Sequence, residues 1–207
     1  GGHLMQHGMV DRNDMLVMLQ ATQPYANRTL VRVPTNELSA IGWALDMGAT
    51  GVIVPLVNSA AEAEAAVKAC CYAPDGIRSM GPTRAIRIFG KACIEQAGKA
   101  IQCIPMIETT EALVNLDEIL TVPGVDAVYV GPSDLSINLG LPRGNNDGEA
   151  AFDDALATII TACEKHDVVP GIHSNMSLVE QRIEAGFRIL TIAEDDSMMS
   201  AGFTEAL

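Results

Sequence analysis

The sequence predicts an α/β fold built on a parallel sheet, and two patterns support this prediction. Short apolar runs rich in β-branched residues recur along the chain, which is typical of strands that are buried on both faces. Segments with helical spacing of apolar residues separate these runs, and no hairpin signal joins two of them. The predicted strands cover residues 30–33, 51–57, 104–107, 127–130, 168–172 and 189–193.

Helices are predicted between these strands, which is the repeat of a (β/α)8 barrel. The predicted helices cover residues 13–22, 36–47, 60–71, 110–120, 149–166 and 178–185. A closed barrel needs eight strands, whereas the chain offers six full strands and a stub before Gln6. We expect a TIM-type barrel that lacks its first strand and most of its second, because His7 stands where a strand should end. The alternative is an open sheet.

The chain of 207 residues is long enough to bury the core of one large domain, and no change of composition marks a second one. Residues 1–4 begin with Gly-Gly-His, which is typical of a vector remnant. The single, incomplete barrel domain is therefore expected over residues 5–207. Residues 73–90 contain several Pro, Gly and Arg residues and are predicted to form a long loop.

Charge and cysteine content limit the partners and the compartment. The 26 acidic residues outnumber the 13 basic ones, and the net charge of −13 disfavours binding to nucleic acid or to an anionic membrane. No apolar run is long enough to cross a bilayer. The 5 Cys residues include no CxxC pair, so neither a disulfide framework nor a zinc site is indicated. We expect a cytoplasmic protein.

Two acidic side chains follow neighbouring predicted strands. Glu108 comes directly after one apolar run, and Asp134 follows the turn Gly131-Pro132-Ser133 after the next. In a parallel sheet both acids lie at the carboxyl edge, where α/β proteins bind their ligands. Such oxygen ligands suit a divalent cation that keeps several water positions. The backbone N–H groups of the turn would also suit a substrate carboxylate.

A structural role is the alternative for each of these acids. Carboxylates are favoured at helix N-termini, and both Glu108 and Asp134 are followed by a predicted helical segment. Either acid alone is more often a helix cap than a metal ligand. Their occurrence at successive strand ends favours a metal site.

Arg32 and two histidines are further candidates. Arg32 lies among apolar residues at a strand end, where an unpaired guanidinium is costly, so we expect it to meet a carboxylate, an oxyanion or a ligand. A structural ion pair is the alternative. His7 and His173 each stand at a predicted strand end and are rival candidate bases. Glu194 begins an acidic run that is expected to cap a helix.

Several longer motifs occur in a specific order and spacing. They are QHG, LVRVP, WALDMGATGVIVPLV, YAPDGIRSMGPTRA, MIETTEALVNLDEIL and GVDAVYVGPSDLSINLG. With these motifs the chain, from about Met5 to nearly its end, resembles the HpcH/HpaI aldolase family. That family comprises class II, metal-dependent pyruvate aldolases such as 4-hydroxy-2-oxoheptanedioate aldolase. The resemblance implies a barrel of the phosphoenolpyruvate/pyruvate-domain type.

The resemblance also implies an activity and a site. It implies a carbon–carbon lyase that cleaves or forms 4-hydroxy-2-oxo acids, giving pyruvate or a related 2-oxo acid plus an aldehyde through a metal-stabilised enolate. It assigns Mg²⁺, Mn²⁺ or Co²⁺ to Glu108 and Asp134, and the catalytic roles to His7 and Arg32. The residues implied to bind substrate are Arg32, Gly131, Pro132, Ser133 and Asp134. A homo-oligomer, commonly a hexamer with an exchanged C-terminal helix, is implied as well.

Two positions depart from the family pattern. An Asp usually stands three residues before the histidine, where this chain has Leu4, and a Gln usually stands two residues before the metal-binding Glu, where it has Met106. The first departure agrees with the expected truncation at the N-terminus and leaves His7 without its orienting group. Two other interpretations stay open: a catalytically impaired barrel fragment that binds metal and 2-oxo acids and self-associates, and a citrate-lyase β-like acyl-CoA lyase.

Overall fold

The computed structural model describes residues 2–7, 10–25 and 28–206, and its fold is a TIM-type α/β barrel of parallel strands. The strands are β1 (Gly2–Leu4), β2 (Leu30–Arg32), β3 (Gly51–Val54), β4 (Gln102–Ile107), β5 (Ala127–Val130), β6 (Val169–His173) and β7 (Ile189–Thr191). The sheet has 7 strands in chain order, so β1 and β7 form its two edges. The fold class predicted from the strand and helix alternation is confirmed.

Twelve helices accompany the strands within the described part of the chain. They are α1 (Arg12–Thr22), α2 (Leu38–Asp46), α3 (Ala60–Cys70), α4 (Thr83–Phe89), α5 (Ala92–Glu95), α6 (Ala97–Ala100), α7 (Thr110–Val114), α8 (Leu116–Leu120), α9 (Pro132–Asn138), α10 (Ala150–His166), α11 (Val179–Ala185) and α12 (Asp195–Ala206). A 3₁₀ turn, Met176–Leu178, precedes α11. Among the described residues, none of these helices has both the length and the apolar character needed to span a membrane.

Side chains of the central strands alternate between two apolar cores. Val128 of β5 belongs to the large core between strands and helices, whereas its neighbour Tyr129 belongs to a smaller core formed by strand residues, inside the barrel. Met106 of β4 lies in the inner core as well. Because strand side chains alternate with a period of two, Glu108 falls on the same inner side directly after β4 ends.

The first strand lies in the segment that the predicted domain boundary leaves out. Residues 1–4 are outside the predicted domain, but Gly2–Leu4 form β1 and pair in parallel with β2. His3 is buried, and its Nε2 lies 3.2 Å from the hydroxyl of Thr22 at the end of α1. β1 is thus the stub predicted before Gln6. The vector origin of residues 1–4 stays a prediction.

Two predicted boundaries are wrong. The predicted loop 73–90 contains α4. Pro82 directly precedes this helix, and Gly90, with a φ of 77°, directly follows it. These residues delimit the helix instead of excluding it. The predicted helix 110–120 is divided into α7 and α8 at Asn115, whose side-chain amide donates a 2.8 Å hydrogen bond to the carbonyl of Asn58.

Candidate active site at the carboxyl ends of the strands

Glu108 is the buried acid of the candidate site. It directly follows β4, is 2% exposed, and its Oε1 accepts a 2.8 Å hydrogen bond from the backbone N–H of Leu56. Its other oxygen, Oε2, faces Gly131, because a Cβ built on that glycine would lie 2.5 Å away. Burial raises the pKa of Glu108, and the hydrogen bond from Leu56 opposes this shift. A carboxylate in such surroundings is costly unless it meets positive charge.

Asp134 lies in the first turn of α9, close to Glu108. After burial and the Leu56 hydrogen bond, the negative charge of Asp134 is the next influence on the pKa of Glu108, and it raises that pKa further. Asp134 itself is exposed to solvent, while Pro132, the first residue of α9, is buried and Ser133 is half-buried. The structure therefore brings the two predicted metal ligands together at the same end of the barrel.

Neither acid caps a helix. The N-cap of α7 is Thr109, whose hydroxyl accepts a 3.0 Å hydrogen bond from the N–H of Ala112. The N-cap of α9 is Gly131, and no side-chain hydrogen bond caps that helix. The capping role considered from the sequence is therefore not found for Glu108 or Asp134.

Arg32 ends β2 and is half-buried. Its Nη2 donates a 3.2 Å hydrogen bond to the carbonyl of Gln6, and its Nε is buried without a hydrogen-bond partner. In the described part of the chain Arg32 forms no ion pair within 4 Å, so the structural ion pair considered from the sequence is not found. Its positive charge acts on Glu108, where it opposes the rise in pKa that burial causes.

His7 lies in the turn that follows β1. The residue is exposed and has a φ of 63°, and the hydrogen bond between Arg32 and the Gln6 carbonyl holds this turn near the site. Leu4, three residues earlier, is 37% exposed and offers no polar group to the ring. Within the described ranges no hydrogen bond orients the His7 side chain.

His173 ends β6 on the opposite flank of the site. Its Nε2 lies 3.4 Å from Oε1 of Glu194, the residue that directly precedes α12. Burial lowers the pKa of His173, Glu194 raises it, and the charge of Arg32 lowers it further. α12 begins at Asp195, and the carboxylate of Glu194 faces the histidine, a pairing that the sequence analysis did not predict.

Tyr129 and Thr191 are site residues that the sequence analysis missed. The hydroxyl of Tyr129 is hydrogen-bonded to the hydroxyl of Thr191, which joins β5 to β7 across β6. Burial raises the pKa of Tyr129 to about 12, so the phenol stays neutral. The sequence signal for this pair is a tyrosine in an otherwise aliphatic strand. A buried phenol needs a hydrogen-bond partner, so its hydroxyl group is expected to contact another polar group.

The two carboxylates fit a divalent cation. Glu108 is desolvated and repelled by Asp134, so a positive ion between them would relieve both unfavourable effects. Hard oxygen donors are the ligands that Mg²⁺ and Mn²⁺ prefer. Over the described residues no group of three or more His, Cys, Asp or Glu side chains forms a metal cluster. Glu108 and Asp134 would supply two oxygen ligands to such a cation.

Comparisons with known proteins identify the family of the chain. The sequence profile described as HpcH/HpaI aldolase/citrate lyase matches residues 5–201. The chain is 35% identical over 204 residues to the hydroxypyruvate/pyruvate aldolase of Rhizorhabdus wittichii. This alignment covers 98% of this chain and 81% of that protein. It is 37% identical over 201 residues to the 4-hydroxy-2-oxo-heptane-1,7-dioate aldolase of Klebsiella pneumoniae, with 93% and 73% covered.

A solved structure shows the same fold. The crystal structure of an HpcH/HpaI aldolase/citrate lyase family protein from Burkholderia cenocepacia superposes with a TM-score of 0.89 at 26% identity. The match covers 99% of this chain and 82% of that one. The chain therefore belongs to the HpcH/HpaI aldolase/citrate lyase family and is an enzyme of its aldolase, or lyase, class.

Proposed function

We propose that this enzyme is a metal-dependent aldolase that cleaves or forms 4-hydroxy-2-oxo acids, with pyruvate or a related 2-oxo acid and an aldehyde as its small-molecule partners. The observation that supports this most is the buried carboxylate of Glu108 beside the charge of Asp134. The printed names of the relatives from Rhizorhabdus wittichii and Klebsiella pneumoniae support the same class of substrate.

Glu108 and Asp134 are the proposed ligands of the cation, which would be Mg²⁺, Mn²⁺ or Co²⁺. A cation bound there would withdraw electron density from the keto oxygen of a 2-oxo acid and stabilise the enolate of carbon–carbon cleavage. The Leu56 N–H holds one oxygen of Glu108 and so limits the positions that this side chain can adopt.

Arg32 and the start of α9 are proposed to bind the 2-oxo acid. The Nε–H of Arg32 is buried without a partner in the described chain, and such a donor is costly until a ligand oxygen accepts its hydrogen bond. The backbone N–H groups of Gly131, Ser133 and Asp134 would attract the substrate carboxylate, since the first turn of a helix carries free donors. Pro132 has no N–H, and its buried ring contributes to the shape of the turn.

His7 is the proposed base for the hydroxyl at C4, on the strength of the family resemblance and of its turn, which is bonded to Arg32 through Gln6. A Schiff-base route is not supported, because no lysine in the described chain lies at the carboxyl end of a strand. Lys68, Lys99 and Lys165 are in α3, α6 and α10, and Lys91 directly precedes α5.

Self-association is part of the proposal. All described residues of α12 are exposed, and the large apolar side chains of Met198, Met199 and Phe203 are 62–66% exposed. A group of exposed apolar side chains on one helix is typical of a surface that contacts another chain.

Removal of the cation is expected to abolish the activity. Pyruvate release from a panel of 4-hydroxy-2-oxo acids would be measured with Mg²⁺, Mn²⁺ or Co²⁺ and again after addition of EDTA. We expect turnover with one or more of these cations. The chelator is expected to lower the rate of pyruvate release by about 100-fold or more. Full activity in EDTA would contradict a metal-dependent mechanism, and metal binding without pyruvate release would favour the impaired-fragment interpretation.

Gly131→Ala is expected to abolish metal binding while the barrel stays folded. The new methyl group would lie 2.5 Å from Glu108 Oε2 and 3.0 Å from the Cε of Met106, so the carboxylate has to move. Calorimetric titration with Mn²⁺ and thermal unfolding would test this. Gly42→Ala is the control for the titration, because Gly42 lies within α2 without a positive φ and its added methyl group meets nothing within 4 Å. Unchanged Mn²⁺ affinity of Gly131→Ala would show that the carboxylate is not held as described.

A further inference from the structure

His173 stands on the inner side of the barrel, above Tyr129. Gly171, two residues earlier in β6, lacks a side chain, and a Cβ built there would lie 3.0 Å from the Tyr129 ring. The tyrosine therefore occupies the space beside Gly171 and reaches Thr191, which is paired in register with His173. Since strand side chains alternate, His173 follows Gly171 on the same inner face at the end of β6.

The imidazole of His173 has a carboxylate partner and remains open to a ligand. Its Nε2 faces Glu194 at 3.4 Å, and the two side chains are 35% and 43% exposed. Among the residues that the structure describes, no hydrogen bond engages the other ring nitrogen, Nδ1. An imidazole with one nitrogen directed at a carboxylate and the other free of hydrogen bonds has the arrangement of a general base with its orienting group.

Two charged groups influence His173, namely Glu194 after β7 and Arg32 at the end of β2. Tyr129 of β5, which is neutral, lies on the same inner face, beside Gly171. Burial lowers the pKa of His173, Glu194 raises it and Arg32 lowers it, so the ring is uncharged at neutral pH and accepts a proton. The charge of Arg32 also lowers the pKa of Glu108, so one guanidinium influences both the histidine and the proposed metal ligand.

We propose that His173 transfers the proton at C3 of the 2-oxo acid and that Glu194 is its positioning residue; this rests on the proposed aldolase function. In the direction of addition, Nδ1 takes a proton from the C3 methyl group, and the C–H electron pair becomes the enolate of pyruvate. Glu194 balances the charge of the resulting imidazolium. In the direction of cleavage, the imidazolium returns the proton to C3 after the C3–C4 bond breaks, and solvent protonates the imidazole again.

This assignment gives the two protons of the reaction to two histidines. His7 follows β1 and is the proposed base for the C4 hydroxyl, whereas His173 ends β6 and would serve C3. His173 has an acidic partner, and in the described ranges the His7 ring has none. The proton transfer at C3 can be measured alone, because it requires pyruvate without an aldehyde.

The test is the exchange of pyruvate methyl protons in D₂O, followed by NMR on the full chain with Mg²⁺. His173→Asn is expected to lower the exchange rate by about 100-fold, the lower range for loss of a general acid or base. His166→Asn is the matched control, and its exchange rate is expected to stay unchanged. His166 also pairs with an acid, at 2.6 Å from Asp117, but it ends α10 just before β6 begins, at the other end of the barrel.

Glu194→Gln separates positioning from folding, because the Glu194 side chain is 43% exposed and glutamine keeps its shape. Without the negative charge the pKa of His173 is expected to fall, so the acid limb of the exchange-rate profile should move to lower pH. The Cε1–H resonance of His173, titrated in metal-free protein, should show the same displacement. An unchanged resonance titration and an unchanged profile would overturn the role of Glu194.

The outcomes distinguish this inference from the proposed function. If the unmodified chain releases pyruvate and His173→Asn still exchanges at the original rate, the inference is overturned and the aldolase function stands. If the unmodified chain neither exchanges nor cleaves with Mg²⁺, Mn²⁺ or Co²⁺, the proposed function is overturned, and the inference falls with it. The inference and the proposed function are both supported if His173→Asn loses exchange but keeps the native circular dichroism spectrum. His166→Asn should then still release pyruvate.

Discussion

Glu108→Gln is expected to lower the rate of pyruvate release by at least about 100-fold and to abolish calorimetrically detectable Mn²⁺ binding. The substitution keeps the shape of the side chain, and the amide oxygen can still accept the hydrogen bond from Leu56. It removes the negative charge, which is what a divalent cation needs from this position. Pyruvate release and Mn²⁺ titration would be measured on the same preparation.

The stability of Glu108→Gln is not expected to fall along with its activity. Burial raises the pKa of Glu108, which means that the charged form is disfavoured in the folded, metal-free protein. A neutral amide avoids this cost, so the free energy of unfolding at pH 7 without metal should stay equal or rise. Glu111→Gln, an exposed acid in the first turn of α7, is the control and should leave activity unchanged. Equal activity in both variants would remove Glu108 from the site.

Arg182→Met is expected to lower the free energy of unfolding by about 3 kcal/mol. The side chain is 2% exposed, and its guanidinium binds both oxygens of Asp147 at 2.6 and 2.9 Å and the side-chain oxygen of Asn145 at 3.2 Å. These contacts attach the loop between α9 and α10 to α11. Methionine fills much of the space but leaves Asp147 without its partner. The buried Nε, which has no partner in the described chain, is lost as well and offsets part of the effect.

Urea unfolding followed by circular dichroism measures this difference. Lys165→Met is the control, because the ion pair of Lys165 with Asp117 is 2.8 Å long but more than 60% exposed, and water weakens such pairs so that they contribute little to stability. Activity of Arg182→Met should fall too, since Ser136 of α9 donates a 2.7 Å hydrogen bond to Gly144 in the attached loop. Equal stabilities of the two variants would show that the buried pair does not hold this loop.

The sequence was informative where local pattern decides the structure. Glu108 and Asp134 could be placed at one edge because each follows a β-branched run and precedes a helical segment, and parallel topology then brings strand ends together. Arg32 was recognisable because a cation in an apolar strand is unusual. These predictions depend on the local sequence pattern of short segments, and that pattern is unchanged when the chain folds.

The sequence was silent where the structure depends on distant contacts. Arg182 and Asp147 are 35 residues apart, and nothing local shows that they meet in a buried pair. The Tyr129 hydroxyl finds Thr191 at a separation of 62 residues, across a strand whose Gly171 leaves room for the ring. β1 was underestimated because three residues carry little periodicity, and their pairing with β2 decides the conformation.

The two edge strands have a consequence for assembly. β1 and β7 each contain 3 residues, so each presents only a short row of backbone donors and acceptors to the solvent. Short edges give little opportunity for strand addition by another molecule, which is the usual first step toward fibrillar aggregates. Higher-order association of this barrel is therefore expected to proceed through side-chain packing on its helices, with no continuation of the sheet from one molecule into the next.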